Sequence, residues 1–312
     1  MEPGPLACSD AERRSARALA AALRGRGRHV EVEGRWIRPA WPWVQALCAA
    51  AGVVGGVLGV QHPLTGTIVV GAALLLSLAH GRGRLPLGRG RATQDVLAPA
   101  TAPRRVTLVA LAGVDRPRAT LLGRVPAPLA WLAGALALQA AATAARLAGV
   151  DATWLGAAQI LPSTVLLLAA GLFADAAVAR PAPADAAATD AAVALARAAP
   201  WADVVLVGAA EMGVRRWLRA ERRAPETVVL LWLEPGARLR WRSAHATLGE
   251  IAAHLGDDEA HLVAERERGR GLAAGARPAI ALSGPPGALT DLALAFAARL
   301  RRQLELGASS EK

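Results

Sequence analysis

The stretch PAWPWVQALCAAAGVVGGVLGVQHPLTGTIVVGAALLLSLAHG, residues 39–81, holds no Asp, Glu, Lys or Arg across 43 positions. One helix needs only about 20 residues to cross a hydrocarbon core of ~30 Å at ~1.5 Å per residue. The stretch therefore predicts two helices, about Trp41 to Gln61 and Leu64 to His80. The turn between them is Gln61-His62-Pro63, where Pro63 interrupts the backbone hydrogen-bond ladder. A second charge-free pair follows at residues 125–145 and 152–174, with Arg146 to Asp151 as the tight connection. Trp41, Trp43, Trp131 and Trp154 fall near the span ends, where indole rings favour the interface. Gly52, Gly55, Gly56 and Gly59 give two overlapping spacings that allow close helix contact.

Arginines flank these spans on one side. Arg24, Arg26, Arg28, Arg35 and Arg38 precede the first, and Arg82, Arg84, Arg89 and Arg91 follow the second. Arg116, Arg118 and Arg124 precede the third and Arg180 follows the fourth, whereas the short turns hold only Arg146. This bias predicts an integral protein of the cell membrane with both termini and the soluble part on the cytoplasmic face. The run from Gly81 to Arg91 is read first as that topology signal. Membrane lipid is the one partner the spans imply, and basic segments beside a span are attracted to anionic headgroups. The spans carry Gln45, Gln139 and Gln159 but no ionisable group, which disfavours a transport path.

Composition agrees. Hydrophobic residues make up 54% of 312, and the mean hydropathy is +0.31. The formal charge is +11, yet Lys312 is the only lysine, and Asn and Tyr are absent. The basic balance follows a bias toward Arg and Ala. Without stacking platforms or a basic recognition helix, it does not point to nucleic acid. Cys8 and Cys48 form neither a disulfide framework nor a cysteine-based zinc site, since Cys48 lies within a span. Residues 1–14 lack the apolar core of a signal peptide.

The polar segments alternate in period. Ser9-x-x-Glu12 reads as a capping box opening a helix that ends near Gly25. His29 to Ile37 alternates as a half-buried strand, and Arg105 to Leu111 is a buried-strand run. Strands at 203–207, 227–233 and 278–282 then alternate with helices at 190–199, 211–222, 247–255 and 289–304. This predicts an α/β fold with a mainly parallel sheet and flanking helices, interrupted by two transmembrane hairpins. The chain divides into 1–40 (first helix and strand), 41–80 (hairpin 1), 81–125 (soluble), 126–175 (hairpin 2) and 176–312 (soluble α/β). Functional groups in such sheets gather at the carboxyl ends of strands. Those ends are Gly113 to Asp115, Gly208 to Glu211, Glu234 to Gly236 and Ser283 to Gly287.

These segments read Val109-Ala110-Leu111-Ala112-Gly113-Val114-Asp115, then Ala184-Asp185-Ala186, then Val207-Gly208-Ala209-Ala210-Glu211-Met212-Gly213. They continue with Leu233-Glu234-Pro235-Gly236 and Ala281-Leu282-Ser283-Gly284. In order and spacing the series resembles the two-zinc aminopeptidase family, relatives of glutaminyl cyclase and the transferrin receptor ectodomain. The resemblance spans most of the soluble part, and no single motif is intact. It implies a metal site at Asp185, Glu211 and Glu234, with Asp115 as the group that orients a metal-bound His. The family's first His is Gly113 here, its general base is Ala210, and its last His has no counterpart between Gly284 and Thr290.

Catalytic zinc is held by imidazole and carboxylate with an open water position. Carboxylates alone suit Mg²⁺ or Ca²⁺ better, and without a base the metal-bound water has no proton acceptor. The chain is therefore read as a non-catalytic relative needing no cofactor, which binds a peptide or protein partner. One alternative is an active metallohydrolase that uses zinc at a rebuilt site with a displaced His such as His245. Another is a membrane-bundle protein built on the glycine spacings, and the oligomeric state is left open. The simpler reading of the four acids is as caps and loop carboxylates near helix N-termini.

His245, His254 and His261 flank Asp257, Asp258 and Glu259. A continuous helix would put His254 and His261 on one face, although a solvated surface helix explains the cluster better. Gly284-Pro285-Pro286-Gly287 is read as a turn, because no Lys-Ser/Thr follows to make a phosphate loop.

Overall fold

The computed structural model describes residues 7–25, 27–37, 41–81, 85, 87, 90–102, 104–115, 120–125, 127–150, 153–179, 186–243, 245–255, 260–262, 264–266 and 277–310. In chain order the elements are α1 (Asp10–Arg24), β1 (Glu31–Ile37), α2 (Trp41–Gln61), α3 (Pro63–Gly81), β2 (Arg91–Ala98), β3 (Thr107–Gly113), α4 (Pro128–Leu147) and α5 (Thr153–Val178). There follow α6 (Ala187–Ala198), β4 (Ala202–Val207), α7 (Ala210–Ala220), β5 (Val228–Pro235), β6 (Arg240–Ser243), α8 (Ala246–Ala253), β7 (Glu265–Arg266), β8 (Ala279–Gly284) and α9 (Ala288–Ser310). The chain forms two compact units. One comprises Met1–Ile37, Ala92–Pro117 and Pro181–Lys312, and the other Arg38–Arg91 and Arg118–Arg180.

The first unit is an α/β domain. Its sheet order is β1-β2-β4-β3-β5-β8-β6-β7. The central strands β4, β3, β5 and β8 are parallel, while β2 and β6 flank them antiparallel. The parallel strands are near-continuous apolar runs (VVLLWLEP in β5, AIALSG in β8) because helices cover both their faces. Leu108, Leu206, Leu231 and Leu282 pack with Ala16 and Ala20 of α1, Leu195 of α6, Ile251 of α8 and Phe296 of α9. Val109, Leu111, Val205 and Leu230 form the opposite core with Val214, Trp217 and Leu218 of α7.

One side chain ties several of these pieces together. Arg28 is 5% exposed, and its guanidinium donates to four carbonyls. Nη1 reaches Pro99 O at 2.9 Å and Ala202 O at 2.8 Å, Nε reaches Ala196 O at 3.0 Å, and Nη2 reaches Ala196 O and Ala199 O at 2.6 and 2.9 Å. Ala196 and Ala199 lie at the end of α6, where carbonyls lack intrahelical partners and the helix dipole favours a cation.

The second unit holds α2 to α5, all long and apolar enough to cross a membrane by length and composition. Pro63 is the first residue of α3, where its missing N–H costs nothing, so it starts that helix as well as ending the one before. Arg146 belongs to the last turn of α4 rather than to the connection, and Asp175 lies inside α5. Polarity in this unit is inverted relative to a soluble bundle. Leu75 is 70% exposed and Ile160 67%, whereas Gln45, Ser77, Gln139, Thr143 and Gln159 are buried. Ser77 Oγ donates to Gln45 Oε1 at 2.6 Å, joining α3 to α2, and Arg146 Nε donates to Gln159 Oε1 at 3.3 Å.

The four glycines of α2 face this interior. A Cβ on Gly52 would strike Leu136 and Leu166, one on Gly55 would strike Val69 and Val70, one on Gly56 would overlap Gln139, and one on Gly59 would meet Thr143. The close contacts of these glycines lie within the unit, on α3, α4 and α5.

Candidate functional site

The carboxyl ends of the parallel strands form one row. Gly113 pairs with Val207, Leu111 with Trp232, and Glu234 with Ser283. Gly113 therefore lies between the end of β4 and Glu234, at strand spacings of about 4.8 Å. The connection after β3 leads to α6 on one face, and that after β4 leads to α7 on the other. Adjacent strands whose connections leave on opposite faces open a crevice at their carboxyl ends. Its rims are Gly113 to Asp115 and Gly208 to Glu211.

The structure places the sequence candidates unevenly. Asp115 is buried at 6% exposure, just beyond β3. Ala210 and Glu211 open α7 after Ala209, whose φ of 56° makes the left-handed turn out of β4; the side chains of both lie outside the described residues. Asp185 also lies outside them. Glu234 ends β5 and accepts from Arg242 Nη2 on β6 at 2.8 Å. Its carboxylate is thus engaged by a cation that belongs to the protein.

Two acids of this edge, Asp95 and Glu12, were not legible as site residues in sequence. Asp95 of β2 is buried beside the end of β4, where its Oδ1 accepts from Gly208 N at 3.0 Å and Arg216 Nη2 of α7 pairs with its Oδ2. Glu12 is fully buried. Its main chain behaves as the capping box requires, with its N–H donating to Ser9 Oγ at 3.1 Å. Its carboxylate, however, accepts from Cys8 N and Thr93 Oγ1, and from Gln94 N at 3.3 Å. Gly208 sits directly on this cluster, since a Cβ there would collide with Thr93 Oγ1 and Glu12 Oε1 and stand 2.6 Å from Gln94 O. Thr93-Gln94-Asp95 is a polar run without apolar alternation, so the sequence carried no strand signal for these groups.

Burial pushes both carboxyls up. For Glu12 the hydrogen bonds from Thr93, Cys8 and Gln94 oppose it and Asp95 adds to it, while for Asp95 Arg216 is the chief opposing group. The folded protein thus holds these protons to higher pH than the unfolded chain does. The stability they contribute is full below the ordinary carboxyl range of about 4, and is lost as pH rises through the raised values. Melting temperature measured from pH 4 to pH 7 should fall less steeply in Glu12→Gln than in the unaltered protein. An identical slope would contradict the assignment.

The residues present do not fit a two-imidazole zinc centre. Gly113 offers no donor, and none of the six histidines lies at these strand ends. Glu234 would have to exchange Arg242 for the ion. Among the described residues, no three His, Cys, Asp or Glu side chains are grouped to hold a metal. The histidine cluster is also dispersed. His245 precedes α8, His254 follows it, and His261 lies in the separate 3-10 turn Ala260–Leu262, so no continuous helix aligns them. Asp257, Asp258 and Glu259 lie outside the described residues. The Gly284 to Gly287 segment is a turn from β8 into α9, with Gly287 at φ 80°.

No known protein-family description matches the chain, and no curated protein matches it in sequence. Solved structures do show a likeness. An aminopeptidase from Aneurinibacillus sp. strain AM-1 is 10% identical, with a TM-score of 0.45, covering 96% of this chain and 90% of its own. A zinc aminopeptidase from Bacillus subtilis is 9% identical with a TM-score of 0.44 and the same coverage. The fold described above stands on this chain's own strand order and register.

Proposed function

We propose that this chain is a membrane-anchored, non-catalytic relative of the zinc aminopeptidases that binds a peptide or protein partner at the carboxyl edge of its sheet. The observation that carries the proposal is the state of the row that edge presents. Gly113 and Ala210 stand where the sequence resemblance puts a metal-binding His and the general base, and Glu234 is tied to Arg242. Hydrolysis needs a metal-bound water and a base to take its proton, and among the described residues no three His, Cys, Asp or Glu side chains are grouped to hold the metal. The parallel strands do gather their carboxyl ends, with their backbone groups, on one edge.

Membrane anchoring is supported by the inverted second unit. Exposing Leu75 and Ile160 while burying Gln45 and Gln139 is unfavourable in water and favourable in lipid. The arginine distribution assigns the α/β domain to the cytoplasmic face.

Purified full-length protein supplied with zinc is expected to release no product from aminoacyl or dipeptide substrates above the blank. Metal-dependent hydrolysis that disappears in Glu211→Ala would overturn the proposal in favour of a rebuilt active site.

A further inference from the structure

Strand β1 ends the sheet order, and among the described residues only β2 pairs with it. Its other side presents a row of backbone N–H and C=O groups to any further strand. Charge ordinarily blunts such an edge. Here the charges are arranged in a particular way, in Glu31-Val32-Glu33-Gly34-Arg35-Trp36-Ile37. The strand also carries exposed apolar surface, with Trp36 at 77% exposure and Val32 at 36%. These two share one face, and Glu33 and Arg35 share the other.

The strand is its own complement about Gly34. Laid antiparallel on a second copy with Gly34 opposite Gly34, Glu33 faces Arg35 and Val32 faces Trp36, each pair occurring twice. Opposite charges and aromatic–β-branched pairs are the cross-strand neighbours that stabilise antiparallel sheets. Trp36 also reaches diagonally to Gly34 of the second copy, where an aromatic ring covers bare backbone. Glu33 and Arg35 pair along the strand at side-chain exposures of 35% and 47%, so turning across exchanges partners without stranding a charge. Sliding the copies by two residues sets Glu33 against Glu33, or Arg35 against Arg35, and like charges directly opposite destabilise. Charge thus favours one register, and the strand that supplies it is this one.

We infer that β1 pairs with β1 of a second copy, antiparallel about Gly34, joining two α/β domains into one continuous sheet across a two-fold axis.

The test uses thiols placed on that axis. Gly34→Cys is made in a Cys8→Ser background of the full-length chain and oxidised with copper phenanthroline in membranes from the expressing cells. Cys48, 2% exposed, stays out of reach. The position accepts a Cβ, which meets only Gln94 Nε2 at 3.8 Å. Opposed residues of an antiparallel pair have Cα atoms ~4.5–5.5 Å apart, inside the disulfide range of ~4.4–6.8 Å. A disulfide-linked dimer is expected. Glu31→Cys in the same background should give almost none, because its two copies would stand about 20 Å apart. Arg35→Glu or Glu33→Arg, each added to Gly34→Cys, should lower the linked fraction about tenfold by making both cross-strand charge pairs repulsive. Coexpressing these two variants under different tags should restore a mixed dimer, although neither chain regains an ion pair along its own strand. No linkage at Gly34→Cys would overturn the inference, as would equal linkage at Glu31→Cys or the absence of a mixed dimer. In the first case, quenching by brominated lipid that Trp36→Phe diminishes would give this edge to the bilayer surface instead.

Discussion

Replacing Arg28 with Met is expected to cost the α/β domain about 3 kcal/mol or more, lowering its melting temperature by about 10 °C. The reason lies in what the guanidinium leaves behind. Its five hydrogen bonds satisfy carbonyls of Pro99, Ala196, Ala199 and Ala202, which come from the loop after β2, the end of α6 and the start of β4. Methionine fills a similar volume but donates nothing, and buried carbonyls without partners carry their full desolvation cost. Lysine restores the charge but not the planar fork, so Arg28→Lys should recover only part of the loss. A melting temperature within about 2 °C of the unaltered protein for Arg28→Met would show that water reaches these carbonyls.

Gly66→Ala is expected to disrupt the first hairpin more than any other single methyl group added to α2 or α3. Its Cβ would meet Gly59 Cα and stand 2.6 Å from both Gly55 O and Gly59 N. All three are backbone atoms of a neighbouring helix, so no rotamer change relieves the overlap and the helices must part. Overpacking typically costs about 1–3 kcal/mol, and a backbone-to-backbone clash belongs at or above the top of that range. Separating α2 from α3 would also strain the Ser77–Gln45 hydrogen bond. Gly71→Ala is the internal control. A Cβ there meets nothing within 4 Å, so helix propensity alone should leave it neutral or stabilised by up to about 1 kcal/mol. Thermal aggregation of the two variants in detergent distinguishes them. Equal midpoints would mean that α2 and α3 do not pack through Gly59 and Gly66.

What the sequence discloses depends on how local the physics is. The first hairpin was legible because a charge-free run longer than one span leaves few options, and the second because two charge-free runs of span length flank a short connection. The central strands β3, β4, β5 and β8 were legible because burial on both faces makes each a continuous apolar run. Strands β2 and β6 escaped notice. In β2, Thr93 and Asp95 find their partners in Glu12, Gly208 and Arg216, distant in sequence, and β6 is a four-residue strand carrying two arginines. Glu12 shows the limit most clearly. Its local pattern announced a cap, while its carboxylate serves Thr93 and Gln94 on β2. The glycine spacings were visible in α2, but only packing reveals that α3, α4 and α5 consume them. At the candidate site, the sequence shows Gly113 and Ala210 where the resemblance would have a His and a general base. The diversion of Glu234 to Arg242 depends on β6 lying two strands away across β8.

The central proposal is that the carboxyl edge forms no zinc centre. Elemental mass spectrometry of the detergent-purified protein, after dialysis against trace zinc, tests it most directly. The account predicts zinc far below one equivalent, unchanged in Glu234→Ala. Near-stoichiometric zinc that falls in Glu211→Ala or Glu234→Ala would contradict it and place a rebuilt metal site at this edge.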